Sequence, residues 1–190
     1  MKDLTDTDLL RYPRAGHVPA LFDHARVDPR AAYFWLLVAH DFGHREAGER
    51  IGDIEECYDV FKYDDDGLER SQIHQQLGEA YLRGTHSLDV DVEHGIEHLE
   101  EYLNGAGAGT LEGVEKLRAL AAELEGFARQ AVETCLEVQP FRAVQRRVDR
   151  LRRLYELDKA SAQIPEVVIT AEVESLRAEM DALIELLKRP

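Results

Sequence analysis

The stretch DPRAAYFWLLVAHDFGHREAGERIGD, residues 28–53, decides how this chain folds. Asp28 before Pro29 reads as a helix N-cap followed by the first helical position, where proline forfeits no hydrogen bond. Ala32, Trp35, Leu36 and Ala39 recur at spacings of three and four, and Tyr33, Phe34, Leu37 and Val38 make the other faces apolar too. A helix apolar nearly all round belongs at the centre of its domain. Gly43 is placed to stop it. His44 to about Tyr58 predicts a second helix that packs through Ala47, Gly48, Ile51, Ile54 and Cys57.

The segment KYDDDGLER, residues 62–70, interrupts with three consecutive acids and Gly67, which predicts a loop. It is no EF-hand: with Gly67 at the sixth loop place, Lys62 and Ile73 would stand at the first and last ligand positions. Leu68 to Arg83 resumes helix, with Ile73, Leu77, Ala80 and Tyr81 on one side and Gly84 as a left-handed stop. Asp89 or Asp91 opens the next helix, which turns Val92, Ile96, Leu99 and Leu103 inward.

Small and large apolar residues at fixed offsets, twice over, are how paired helices in a stack are written. Trp35-Leu36, Ala39, Gly43-His44, Ala47 and Ile51-Gly52, followed by Leu77-Gly78, Tyr81, Gly84, Asp89, Gly95 and Leu99, carry a family resemblance. Residues 28–103 resemble Sel-like repeats, relatives of the tetratricopeptide repeat. Two departures are the insert between Tyr58 and Gly67 and Gly95, which stands where that repeat uses alanine. The resemblance implies a concave groove for protein or peptide binding, of the kind found in adaptors, regulators and components of secretion or toxin-neutralising systems.

Upstream, residues 1–27 form a lead-in: Thr5 or Asp6 is placed to cap a short helix through Leu10, before Pro13, Gly16 and Pro19. A second short helix is expected around Ala20 to Arg26. Downstream, residues 104–110 carry three glycines and two alanines and predict a linker. One long helix is expected from Thr110 to near Pro140. Two heptad-like seams follow, Phe141 to Tyr155 and Val173 to Leu187, with a loop between them at Ala160 to Pro165. The expected architecture is all-α: a short helical-repeat array, then a C-terminal helical hairpin or three-helix bundle over residues 111–190. The seams allow a homodimer through the C-terminal helices.

The chain has 190 residues, 38 acidic against 23 basic, for a formal net charge of −15. Residues 1–104 hold 10 basic and 23 acidic side chains, so most of the charge lies in the front half. Such a field repels nucleic acid and anionic lipid and speeds encounter with a basic protein. The six arginines between Arg142 and Arg153 are the one basic concentration, and pairing with acidic neighbouring helices is their favoured use. MKDLTDTDLL lacks the apolar run of a signal peptide, and nothing approaches a membrane span of about 18 apolar residues. The cytoplasm is the expected compartment, with Cys57 and Cys135 as reduced core residues.

No nucleophile motif, phosphate-binding loop or cofactor signature is present, so no catalytic residue, metal or cofactor is assigned. The expected function is non-catalytic binding of a basic protein by an acidic helical surface, as an immunity protein, antitoxin or regulatory adaptor. Candidate contacts are Tyr33, Trp35, Asp53, Glu55, Glu56, Tyr58, Asp59, Tyr63, Asp64, Asp65 and Asp66. Two alternatives stand beside it. One is a metal-dependent hydrolase built on His40, Asp41 and His44. The other is an architectural dimer held by the last seam. His94 and His98, also four apart, are expected to be exposed or turn residues.

Overall fold

The computed structural model describes residues 6–63, 68–105 and 110–138, together with residues 173, 174, 177, 178, 181, 184 and 185. Among them the regular structure is wholly helical, with no strand. The chain divides into two compact units, Met1–Gly107 and Ala108–Pro190.

The first unit is built on α3 (Pro29–Asp41), which packs against α1 (Asp6–Ala15), α2 (Val18–His24), α4 (Arg45–Cys57) and α6 (Leu68–Arg83). Its central position follows from its sequence: every residue from Ala32 to Ala39 is buried. The expected cap is in place, with the Asp28 carboxylate accepting from the Ala31 N–H at 3.0 Å. Gly43 and Gly84 make the reversals after α3 and α6, both with positive φ.

The lead-in is more helical than its prolines suggest. α1 runs through Pro13 to Ala15 instead of ending at Leu10. Proline removes one backbone bond in the helix interior, and burial of Leu9, Leu10 and Pro13 offsets that loss. α2 begins at Val18, two residues before the expected start, because Pro19 falls in its first turn, where a missing N–H costs nothing. The acidic insert begins with a further turn of helix, α5 (Asp59–Lys62), which buries Phe61.

α6 and α7 (Val92–Asn104) form the tightest hairpin. Its register is fixed at three heights. The Ser71 hydroxyl donates to the Tyr102 carbonyl at 3.0 Å, the Asp91 N–H donates to the Tyr81 carbonyl at 3.0 Å, and Gly78 faces Gly95 between them. A Cβ on Gly78 would lie 2.9 Å from the Gly95 carbonyl oxygen, and one on Gly95 would lie 2.9 Å from Leu82 Cγ. An alanine at Gly95 would therefore have to push the Leu82 side chain aside. Leu77 and Leu99 have no exposed area, a burial worth about 1.5–3 kcal/mol each.

In the second unit, α8 (Thr110–Glu123) buries Val114, Leu117, Leu120 and Ala121. The long helix expected from Thr110 to Pro140 is interrupted. Leu124 and Glu125 are not helical, Gly126 has φ +58°, and a separate helix runs over 126–138, burying Val132, Cys135 and Leu136. A glycine in the left-handed region ends one helix and lets another start in a new direction. Of Phe127 and Ala128, either of which the apolar spacing allows on the packed stripe, Phe127 is 72% exposed and Ala128 is partly buried. Cys57 is likewise exposed, not in the core, while Cys135 is buried. The six arginines from Arg142 to Arg153, the Phe141 to Tyr155 seam and most of the Val173 to Leu187 seam lie outside the described residues, as do Asp64, Asp65 and Asp66.

Candidate functional site

Two places in the first unit gather polar chemistry: a buried network where α3, α6 and α7 meet, and an exposed acidic side of α4 continuing into α5.

The network centres on Asp41 in the last turn of α3. Its Oδ2 accepts from the Tyr81 hydroxyl of α6 at 2.9 Å and lies 3.0 Å from His98 Nε2 of α7. Both the Asp41 and the His98 side chains are 8% exposed. His98 Nδ1 is 2.8 Å from His74 Nδ1 on α6, so His98 bridges a carboxylate on one ring nitrogen and a second imidazole on the other. The Tyr81 and His98 rings are parallel, with centroids 6.0 Å apart. At the next turn of α7, His94 Nδ1 lies 2.9 Å from the Asp91 carboxylate, which also caps α7 by accepting from the His94 N–H.

Burial first, and then the neighbouring His98, hold the His74 pKa down to about 4 from its ordinary 6.5. The nearby Asp41 charge opposes this and Arg70 adds to it. Burial likewise raises the Tyr81 hydroxyl, reinforced by Asp41, so it remains a donor. For His94, burial favours the neutral ring, but the Asp91 hydrogen bond and the Asp41, Asp91 and Glu97 charges together raise its pKa. The unfolded chain protonates His74 below about pH 6.5 while the folded chain does not until about 4. Stability is therefore predicted to fall as pH is lowered through that window. His94 has the opposite sign: its contribution is present at low pH and is lost as pH rises through its raised value. Denaturant titrations at pH 7.5, 6, 5 and 4.5 on wild type and His74→Phe check this, because the variant lacks the His74 slope.

His40, Asp41 and His44 do not gather into one constellation. The His40 ring lies over Gly48 of α4 and the His44 ring against Gly16, whereas Asp41 turns inward to His98 and Tyr81. Gly43 between the two histidines reverses the chain and sends them to different neighbours. Among the described residues, no group of three or more His, Cys, Asp or Glu side chains is arranged to hold a metal ion. His98, expected to be exposed, is a buried hydrogen-bonding residue. No signal in its own segment marks it as buried, although its spacing from His94 singled the pair out. His74 was not singled out at all, because nothing near it in sequence shows that α7 lies across from it.

The expected contact residues separate into three groups. Tyr33 and Trp35 belong to the core, at 3% and 2% exposure, and are no contact surface. The apolar environment of α3 takes both rings inward, with Tyr33 stacked on Phe61 and its hydroxyl donating to Glu55 at 2.7 Å. Glu55 is half-buried by that bond and lies 3.8 Å from Arg70, and Tyr58 packs against the core edge. Glu56, Asp59 and Tyr63 are exposed, and Asp53 is about half exposed. Helical spacing puts Glu46 and Glu49 on the same side of α4 as Asp53 and Glu56, two acids that the contact reading of the sequence left out. Arg50 sits among them, with its guanidinium bonded to Glu46 and Asp53 and stacked 5.1 Å from the Phe22 ring.

Among the described residues, no helix is long and apolar enough to cross a membrane. No family model, no curated protein and no solved structure matches this chain.

Proposed function

We propose that this chain is a non-catalytic protein-binding module, a short helical-repeat scaffold of the Sel-like kind, whose acidic α4–α5 side receives a basic protein. Neutralisation of a basic toxin, or regulation of a basic client as an adaptor, is the role that fits this chemistry.

The observation that carries the reading is the acid stripe of Glu46, Glu49, Asp53 and Glu56, extended by Asp59 and the 70% exposed Tyr63. It lies on a helix whose other side is fixed by the buried Ala47 and Ile54. Arg50 offsets Glu46 and Asp53, so the outward charge is carried by Glu49, Glu56 and Asp59. A net negative face on a rigid backing speeds and orients encounter with an oppositely charged partner. An exposed tyrosine supplies the amphipathic contact that binding surfaces favour. The buried Asp41, His98, Tyr81 and His74 serve this function indirectly, by fastening the α6–α7 hairpin to α3.

The test is affinity capture with the full chain at low salt, followed by reconstitution of the identified partner from purified components. Wild type retains a basic protein and loses it as salt is raised past the screening range. The triple variant Glu49→Lys, Glu56→Lys, Asp59→Lys is expected to bind at least tenfold more weakly, mostly through a slower on-rate. Equal binding by wild type and the triple variant sinks the assignment of this face.

A further inference from the structure

Within the first unit α7 packs on α6, and its buried Leu99, Tyr102 and Leu103 stand outside the apolar cluster that joins α1 through α6. α6 is held to α3 on its own account. Ile73, Leu77, Ala80 and Tyr81 belong to that cluster, and Arg30 of α3 forks onto Glu69 of α6 across a cleft, with both prongs at 2.7 Å. The contact of His98 with Asp41 therefore has a separate task, which is to tie α7 to α3.

The two imidazoles of this tie hold a limited number of protons. Asp41 accepts from His98, so His98 Nε2 carries a hydrogen, and the 2.8 Å between the two Nδ1 atoms is a hydrogen bond only with one hydrogen between them. A neutral pair meets both conditions. One added proton, on His74 Nε2, meets them too, and the Asp41 carboxylate matches the resulting cation. A second added proton has only the other Nδ1 left to take it. Two N–H groups then face each other, and two like charges lie side by side where the His98 and Asp41 side chains are each 8% exposed.

The surroundings offer this second charge little relief. α3 presents Asp41, already matched. α6 presents Arg70, whose charge works against protonation of His74 and which lies 3.8 Å from Glu55 of α4, together with the Tyr81 hydroxyl, which donates to Asp41. On α7 itself, His94 is paired with Asp91 one turn away. The bonds of Ser71 to the Tyr102 carbonyl and of the Asp91 N–H to the Tyr81 carbonyl cross the hairpin without a titrating group.

We propose that the His74–His98 pair is an acid-released latch: it keeps α7 on α6 and α3 while it carries at most one charge, and lets α7 lift away, with α1 through α6 still folded, when it takes a second. Release uncovers Leu99 of α7 and Leu82 of α6. The latch is independent of the acidic-module reading, since it involves neither the α4 acids nor a partner.

The experiment is amide hydrogen exchange of the full chain at pH 7 and pH 4.5, each rate divided by the intrinsic rate at the same pH, with and without urea below the unfolding range. Burial and His98 hold His74 down to about 4 in the closed chain, against the ordinary 6.5. Opening of α7 is therefore expected to become about fifty- to a hundredfold more frequent at pH 4.5. Its exchange should respond weakly to urea, because little surface is exposed. The amides from Trp35 to Ala39 of α3 should stay slower at both pH values and respond steeply to urea, and Trp35 emission should remain native at pH 4.5. His74→Asn, which sets an amide near the place of Nδ1 and does not titrate, should lose most of the rise, as should His74→Phe; circular dichroism at pH 7 confirms that each is folded. Equal rates and equal urea responses for α7 and α3 at pH 4.5 would mean global unfolding and overturn the latch. An α7 rise below about threefold, or the full rise in both folded variants, overturns it as well. The comparison of α7 with α3 in wild type decides the matter even if neither variant folds.

Discussion

Asp41→Ala is expected to lower the free energy of unfolding by about 3–5 kcal/mol, the cost of removing one partner from a buried, hydrogen-bonded pair. One carboxylate oxygen serves both the Tyr81 hydroxyl and His98 Nε2, from two different helices. Alanine leaves both donors in a place that water reaches poorly, and each unmade bond costs its desolvation. Asp41→Asn keeps a carbonyl acceptor and is expected to lose about half as much. Tyr81→Phe, which removes one donor and leaves the carboxylate on His98, costs about 1 kcal/mol. Urea unfolding measures all three as a shifted midpoint at constant slope. A double-mutant cycle of Asp41→Ala with His98→Ala should return a coupling above about 1 kcal/mol, since the two side chains touch. An Asp41→Ala protein within 1 kcal/mol of wild type would show that the network does not fasten α7 to α3.

The second large effect is at Gly78, where alanine is expected to destabilise by about 2–3 kcal/mol through overpacking. The sign makes the experiment decisive, because alanine in place of a helical glycine otherwise stabilises by about 1 kcal/mol. At Gly78 the new Cβ would lie 2.8 Å from Leu99 Cδ2 and 2.9 Å from the Gly95 carbonyl oxygen. Leucine can rotate away, but the carbonyl belongs to the facing helix, so the helices themselves must separate. Gly95→Ala meets mainly the tip of Leu82, with the Gly78 carbonyl farther off at 3.3 Å, and should cost less. Gly52→Ala is the internal control. Nothing lies within 4 Å of a Cβ there, so the propensity gain should appear and raise the melting temperature. Gly78→Ala as stable as wild type would mean that the hairpin is not in this tight register.

These two sites also show where reading the sequence succeeds and where it stops. Gly78 was legible as a packing residue, because small residues at helical intervals mark close approach. The contact of Gly95 with Leu82 appears only with α6 and α7 side by side. Trp35 and Tyr81 show the same division. Both are buried, as large residues between helix layers should be, yet Trp35 and Tyr33 had also been read as contact residues. Aromatic character alone does not tell a core ring from a docking ring. The interruption at Gly126 was missed because the apolar spacing runs straight across it, and periodicity carries no penalty for one left-handed residue.

By itself the sequence determined α3, α4, α6 and α7 of the first unit and the sign of that unit's charge. Asp28-Pro29, the apolar run from Ala32 to Ala39, the acids of α4 and the span from Leu68 to Arg83 act through neighbours within a turn or two, where spacing is geometry. Tertiary structure alone decided that Asp41 belongs with His98, 57 residues away, that His74 stands beside it, and that Arg30 reaches Glu69 across a cleft. Each of those depends on how one helix is rotated and set against another. That rotation is fixed by the fit of whole faces, so no local spacing encodes it.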